Sequence, residues 1–208
     1  MTQNDGDARV RLRPLVPDDQ DEFIAQARAS MGLHHPWYTM PTTPEAFRAY
    51  LAKYSQPTAE GWLVCLRDGG ALAGMITIDS IVRGRFQSAT LSYAAFAPAA
   101  GRGYMSEGLA LVLRHAFCEL RLHRLEANIQ PANQASLRLV GRLGFRQEGL
   151  LPRHAVHRRR LAGPRAMGHH PRDDSFPSGG PAPHLARPLR LIADLAQPDR
   201  DADGAGVA

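Results

Sequence analysis

Lysine is almost absent: Lys53 is the only one among the 25 basic residues, in a chain of 208 residues with a formal net charge of +5. So strong a preference for arginine reflects a GC-rich coding sequence before it reflects a ligand. The positive balance suits a polyanion, but no nucleic-acid-binding motif accompanies it, so a nucleic-acid partner is not expected. Cysteine is nearly missing too. Cys65 and Cys118 sit in apolar segments without a C-x-x-C pair, which reads as two buried, reduced thiols and excludes a disulfide framework. His115 and His123 lack zinc-ligand spacing around Cys118, so no metal is expected. There is no apolar run long enough to cross a bilayer and no charged-then-apolar leader at the N-terminus, so no membrane is expected and the placement is read as cytoplasmic. What is present is 44% hydrophobic sequence, enough for one sizeable domain.

Residues 1–8 are polar and expected to be disordered. Val10 and Leu12 alternate with arginines as in a half-buried strand. Pro17-Asp18-Asp19 and Thr43-Pro44-Glu45 are helix starts, with Phe23, Ile24 and Ala27, then Phe47, Tyr50 and Leu51, as their apolar stripes. Between them lies His34-His35-Pro36-Trp37-Tyr38, an aromatic loop that either lines a substrate groove or packs. Trp62–Leu66 and Leu72–Ile78 read as a hairpin through Asp68-Gly69-Gly70, and Phe86–Ala95 as a further strand. Leu109, Val112, Leu113, Ala116, Phe117 and Leu120 recur at helical spacing. Leu125, Ala127 and Ile129 then alternate with Arg124, Glu126 and Asn128. Asn133 caps another helix, which Gly144-Phe145 stops. Strand–helix–strand–helix implies a parallel pair inside a mixed sheet.

Ala100-Gly101-Arg102-Gly103-Tyr104-Met105 joins a strand to a helix. Glycines there permit positive φ and close backbone approach, and unpaired N–H groups at a helix start converge on one point, as a pyrophosphate requires. No G-K-[ST] follows, so this is no P-loop, and the spacing is not that of a dinucleotide fold. On these residues alone a tight turn without a ligand remains equally open.

The stretch from Ile81 to Gly149 resembles the GNAT superfamily, and within it the ribosomal-protein-alanine N-acetyltransferases of the Rim type. The resemblance rests on Val82-Arg83-Gly84-Arg85-Phe86, Leu91-Ser92-Tyr93, Gly101-Arg102-Gly103-Tyr104-Met105-Ser106-Glu107 and His123-Arg124-Leu125-Glu126-Ala127-Asn128. Pro131-Ala132-Asn133-Gln134-Ala135-Ser136 and Leu143-Gly144-Phe145-Arg146-Gln147-Glu148-Gly149 complete it. A weaker match through Pro36-Trp37 extends it over residues 9–156. It implies the GNAT fold, a mixed α/β sheet flanked by helices, and acetyl-CoA as co-substrate without a metal. Three departures stand out: Ala100 where the family has Gln or Arg, Met105 where it has a small residue, and Val140 where it often has tyrosine.

The resemblance implies that a primary amine attacks the acetyl thioester directly. It places the cofactor against Tyr93, Ala94, Ala95, the turn from Ala100 to Met105, Ser106 and Asn133. Main-chain N–H groups around Tyr93–Ala95 would hold the oxyanion. With Val140 at the usual tyrosine position, the Ser136 hydroxyl is the candidate for protonating the leaving thiolate; the equal alternative is that it only bonds back to the Asn133 cap. Glu126 is the candidate base, with Asn128 beside it holding water, against a plain surface or ion-paired carboxylate. Trp37 and Tyr38 are candidate substrate contacts.

After Val156 the resemblance stops. Residues 154–208 contain no Lys, Glu, Asn, Thr, Tyr, Trp or Cys. The expectation is that this tail, residues 157–208, is low-complexity, disordered and translated out of frame. Met167-Gly168 is encoded ATG-GGN, which a shifted frame reads as Trp. The shifted frame also permits Ile-Asp-Gly-x-Trp-Arg-Asp-His, which resembles the Rim-type continuation. The final strand, which the GNAT fold inserts between its fifth and sixth, is then missing or replaced, and Leu189-Arg190-Leu191-Ile192 reads as a short helix. The expected function is N-acetyl transfer from acetyl-CoA to a primary amine, foremost the α-amino group of a ribosomal or other protein. The alternatives are a small-molecule amine acetyltransferase, or an acetyl-CoA-binding remnant without turnover.

Overall fold

The period-two and helical patterns fold into one mixed sheet with helices on both faces. The computed structural model describes residues 8–150 and 189–194. In chain order the elements are β1 (Val10–Pro14), α1 (Gln20–Ala29), α2 (Met31–His34), α3 (Pro44–Tyr54), β2 (Glu60–Leu66), β3 (Leu72–Val82) and β4 (Ser88–Ala95). Then come α4 (Tyr104–Arg114), β5 (Arg124–Ile129), α5 (Gln134–Arg142), β6 (Arg146–Leu150) and β7 (Leu189–Asp194). The sheet order is β1-β2-β3-β4-β5-β7-β6.

Alternation along the strands sorts the core into two halves. Leu63, Cys65, Met75 and Ala94 meet Phe23, Ile24, Ala27 and Phe47 of α1 and α3 on one face. Phe23 is central there, edge-on to Phe96 at 5.6 Å and tilted against Phe47 at 5.3 Å. On the other face Val64, Ile76, Ile78, Leu125 and Ala127 meet Leu109 and Val112 of α4 and Val140 of α5. Each such side chain is worth about 1.5–3 kcal/mol when fully buried. The expected caps form: Thr43 Oγ1 accepts the Ala46 N–H at 3.2 Å, and Asn133 Oδ1 the Ser136 N–H at 3.2 Å.

The feature that positions the site is a split. β4 and β5 run parallel but pair only at Ser88–Arg124, Ala89–Leu125 and Thr90–Glu126. Beyond Thr90, β4 stays with β3 as far as Gly74–Ala95, and β5 turns to β7 along its whole length. Phe96 N–H donates to Ala73 O at 2.9 Å. By strand alternation the N–H and C=O groups of Tyr93 and Ala95 therefore face the open side of β4.

Two expectations need correction. Leu189–Asp194 is a strand, not a helix: it lies antiparallel between β5 and β6, from Leu189–Ile129 to Asp194–Arg124. It falls within residues 157–208, which the sequence reading set apart, and it occupies the place of the final strand. Four residues are too few for helical and strand periodicity to be told apart. In the structure Leu191 and Ala193 join the α4–α5 core while Arg190 takes the opposite face. The remainder of that tail and residues 1–7 lie outside the described residues. Second, Cys65 is buried but Cys118 is exposed. The helix after Arg114 widens into a π-turn over His115–Glu119, which shifts the phase of the apolar stripe and turns Cys118 outward.

Candidate active site

A cavity of about 600 Å³ opens at the split, between the end of β4, the Ala99–Ser106 turn, the start of α5 and the α2 loop. Gly101 and Gly103 adopt φ of +76° and +86°, the left-handed conformation that glycine takes without a Cβ penalty. Among the described residues, the N–H groups of Gly101, Gly103, Tyr104 and Met105 donate to no protein acceptor. They cluster at the positive end of the α4 dipole and fit a pyrophosphate.

The turn is braced from β1's side. The Glu107 carboxylate in the first turn of α4 accepts from the Arg9 backbone N–H at 3.0 Å and from Arg9 Nε at 2.7 Å. Arg9 Nη2 also donates to Arg102 O at 3.1 Å, and the guanidinium lies 4.8 Å from the centre of the Tyr104 ring. Glu107 raises the Arg9 pKa further above its ordinary value through this hydrogen bond. With Glu107 occupied by Arg9, the amides at the helix start face their ligand without an uncompensated carboxylate beside them.

Met105, the departure from a small residue, points away from the turn. Its side chain is buried and packs over Gly74, where a Cβ would collide with Met105 Sδ and lie 2.6 Å from Ala94 O. The bulk added at Met105 is taken up by Gly74 of β3. Val140, the departure from tyrosine, is fully buried in the core.

Of the sequence candidates, Trp37, Tyr38, Tyr93, Ala94, Ala95, Ala100, Gly101, Gly103, Tyr104, Met105, Ser106, Asn133 and Ser136 all line the cavity. Asn133 uses its side chain on the Ser136 backbone N–H, so the cap is made with the Ser136 main chain. Tyr93 bridges the split: its hydroxyl donates to Ser136 O at 3.3 Å. Burial pushes the Tyr93 phenol up to about 12, partly offset by the Ser136 side chain, so it stays protonated at neutral pH. Tyr38, pushed up to about 12 by burial, meets Tyr50 hydroxyl to hydroxyl at 3.5 Å. It therefore both packs and lines the groove.

Arg102, Glu126 and Asn128 are not among the residues lining it. The Glu126 carboxylate accepts from Arg190 Nε at 3.0 Å and from Arg124 Nε at 3.0 Å. Burial pushes its carboxyl up, but the two guanidiniums outweigh burial and hold it below the usual carboxylate range. That is the ion-paired alternative, and a carboxylate so held is a weak proton acceptor. Asn128 is exposed on the same face.

The lining also contains residues that the sequence reading did not single out as site residues. Arg138 and Arg142 are one turn apart on α5, and their i, i+4 spacing was the available signal. His34 sits on α2 and donates from Nε2 to Ala95 O at 2.6 Å. Its signal was adjacency to Trp37-Tyr38. Arg9 carried no signal, because its partner is 98 residues away.

The family model described as the acetyltransferase (GNAT) domain matches residues 9–146. The chain belongs to the GNAT acetyltransferase family. It is 39% identical over 149 residues to the probable N-acetyltransferase YjcK of Bacillus subtilis, covering 68% of this chain and 82% of that one. It is 34% identical over 82 residues to the [ribosomal protein uS5]-alanine N-acetyltransferase of Escherichia coli, covering 39% of this chain and 42% of that one. Among solved structures the fold is shared with Mycobacterium smegmatis RimJ in complex with CoA-disulfide. There the TM-score is 0.69 at 22% identity, covering 89% of this chain and 81% of that one. It is also shared with the spermidine N-acetyltransferase of Vibrio cholerae in complex with CoA and spermine. That match has a TM-score of 0.66 at 17% identity, covering 90% of this chain and 96% of that one. Acetyl-CoA is the acetyl donor of this family. Among the described residues there is no cluster of metal-ligating side chains and no helix long and apolar enough to cross a membrane.

Proposed function

We propose that this GNAT protein acetylates the α-amino group of a protein N-terminus, a ribosomal protein in the first instance, in the cytoplasm. The observation that carries the reading is the chemistry of the cavity. Its described lining holds free amides, aromatic rings and the cations Arg138 and Arg142, and no carboxylate. A polyamine acceptor needs carboxylates for its further ammonium groups, whereas a peptide presents one amine followed by neutral amides. The similarity to the uS5-alanine enzyme supports the same choice.

The roles follow from position. The N–H groups of Gly101–Met105 bind the pyrophosphate, and Arg138 and Arg142 meet the remaining phosphate charge. When bound, acetyl-CoA supplies the activated acetyl thioester. Main-chain N–H groups on the open side of β4, from Tyr93 and Ala95, hold the oxyanion that develops as the amine adds. The Ser136 hydroxyl protonates the departing thiolate. An α-amine titrates near about 7.7–8.0, against about 10.4 for lysine, so only a mild base is needed.

Incubation with acetyl-CoA and either peptides beginning with Ala or Ser or with spermidine, followed by thiol release and product mass, tests this. Acetylated peptide N-termini are expected; a preference for spermidine would select the small-amine alternative, and acetyl-CoA binding without turnover the inactive remnant. That residues after about 153 are read out of frame belongs to the same proposal. It is supported by the loss of resemblance after Val156, and it is checked by the nucleotide sequence of codons 150–172.

A further inference from the structure

His34 is the imidazole of the cavity, and the roles above leave it unused. A carbonyl oxygen can only accept, so the 2.6 Å bond to Ala95 O requires the hydrogen to be on Nε2. In the neutral ring Nδ1 then carries the lone pair, and among the described residues it has no partner. The ring is held firmly. Buried Ser30, at the junction of α1 and α2, accepts the Ala97 N–H at 2.9 Å and donates to Gln26 O at 2.6 Å. The α2 turn is thereby tied to the end of β4 at both Ala95 and Ala97.

The other ionisable groups on the lining are the phenols of Tyr38, Tyr93 and Tyr104 and the guanidiniums of Arg138 and Arg142. Phenol and guanidinium groups enter the cavity as hydrogen-bond donors. Glu126 stands elsewhere, paired with arginines. On the described lining, His34 alone offers a nitrogen lone pair, and its ring is anchored from α2 on Ala95 at the open edge of β4.

We infer that His34 is the general base of the transfer, its Nε2–H anchored on Ala95 O and its Nδ1 taking a proton from the acceptor ammonium, directly or through one water. This rests on the acetyl-transfer reading. One proton passes from the ammonium to Nδ1 and on to solvent. The neutral amine forms the C–N bond as the C–S bond breaks. The second proton lost by nitrogen ends on the thiolate, so ammonium and thioester yield amide, thiol and one proton.

The test compares His34→Gln, which keeps a donor for Ala95 O but cannot take a proton, with His34→Ala, in the full chain. The assay uses acetyl-CoA and the best amine of the panel above. Both variants are expected to bind acetyl-CoA as the wild type does, to unfold at an unchanged temperature for Gln, and to lose roughly 10²-fold in kcat. Added imidazole is expected to restore part of the His34→Ala rate. Full kcat in His34→Gln, or a loss in His34→Ala that follows its melting temperature and ignores imidazole, overturns the role and leaves acetyl transfer standing. A wild type that binds acetyl-CoA yet turns over no amine overturns acetyl transfer, and the role of His34 with it.

Discussion

Gly103 holds φ at +86°, and a Cβ there would stand 3.1 Å from Arg9 Nη2. Gly103→Ala therefore strains the backbone by about 1–2 kcal/mol and pushes on the arginine that braces the turn. Calorimetry is expected to show weaker acetyl-CoA binding, with the fold intact. Gly74 is constrained from two sides, by Met105 Sδ and by the backbone oxygen of Ala94. Gly74→Ala is expected to cost about 1–3 kcal/mol in denaturant unfolding. Adding Met105→Ala should recover only part of it, because the carbonyl remains. Ser136→Ala removes a hydroxyl and keeps the backbone N–H that Asn133 caps. Its expected signature is a lower kcat with unchanged acetyl-CoA affinity, read by steady-state kinetics.

At the scale of elements, β7 joins β6 to the sheet and supplies most of the pairing of β5, which meets β4 at only three residue pairs. Ile192, in its middle, is fully buried. Ile192→Ala is expected to cost about 2–5 kcal/mol, seen as a lower midpoint in thermal unfolding of the full chain. Across this part of the sheet runs a charge ladder, with Glu126 bound by Arg190 and Arg124 and Glu148 by Arg124 at 2.7 Å. Burial opposes the ionised form of Glu126, but its two arginines prevail, so its folded pKa lies below the unfolded value of about 4.3. The sign follows: the stabilisation is complete above that unfolded value and disappears as pH falls through the folded one. Glu126→Gln should therefore flatten the decline in stability below about pH 4, measured as melting temperature against pH.

For the whole molecule, the proposed placement of acetyl-CoA at the split between β4 and β5 would require both halves of the sheet to be in place. Binding is linked to folding, and at 100 times the dissociation constant it adds about 2.7 kcal/mol. Thermal shift with acetyl-CoA should rise in the wild type and shrink in Ile192→Ala beyond what the lower starting stability accounts for. An equal shift in both would mean that the cavity does not depend on β7.

The local rules of the chain determined much of this in advance. Thr43 and Asn133 announce helix starts because their side chains satisfy N–H groups a few residues away, and Gly101 and Gly103 announce a tight turn because φ is a local property. The order of motifs from Val82 to Gly149 carried the family. What stayed hidden depends on distance along the chain. Arg9 reaches Glu107 and Ala95 holds His34 only because β1 and α2 come back to the split. Leu189–Asp194 becomes a strand because an unpaired edge of β5 offers it hydrogen bonds that its own six residues cannot supply. Glu126, placed by alternation on a plausible face, meets arginines from its own strand and from β7. Sequence periodicity assigns a residue to a face, and only the packed sheet determines what lies opposite it.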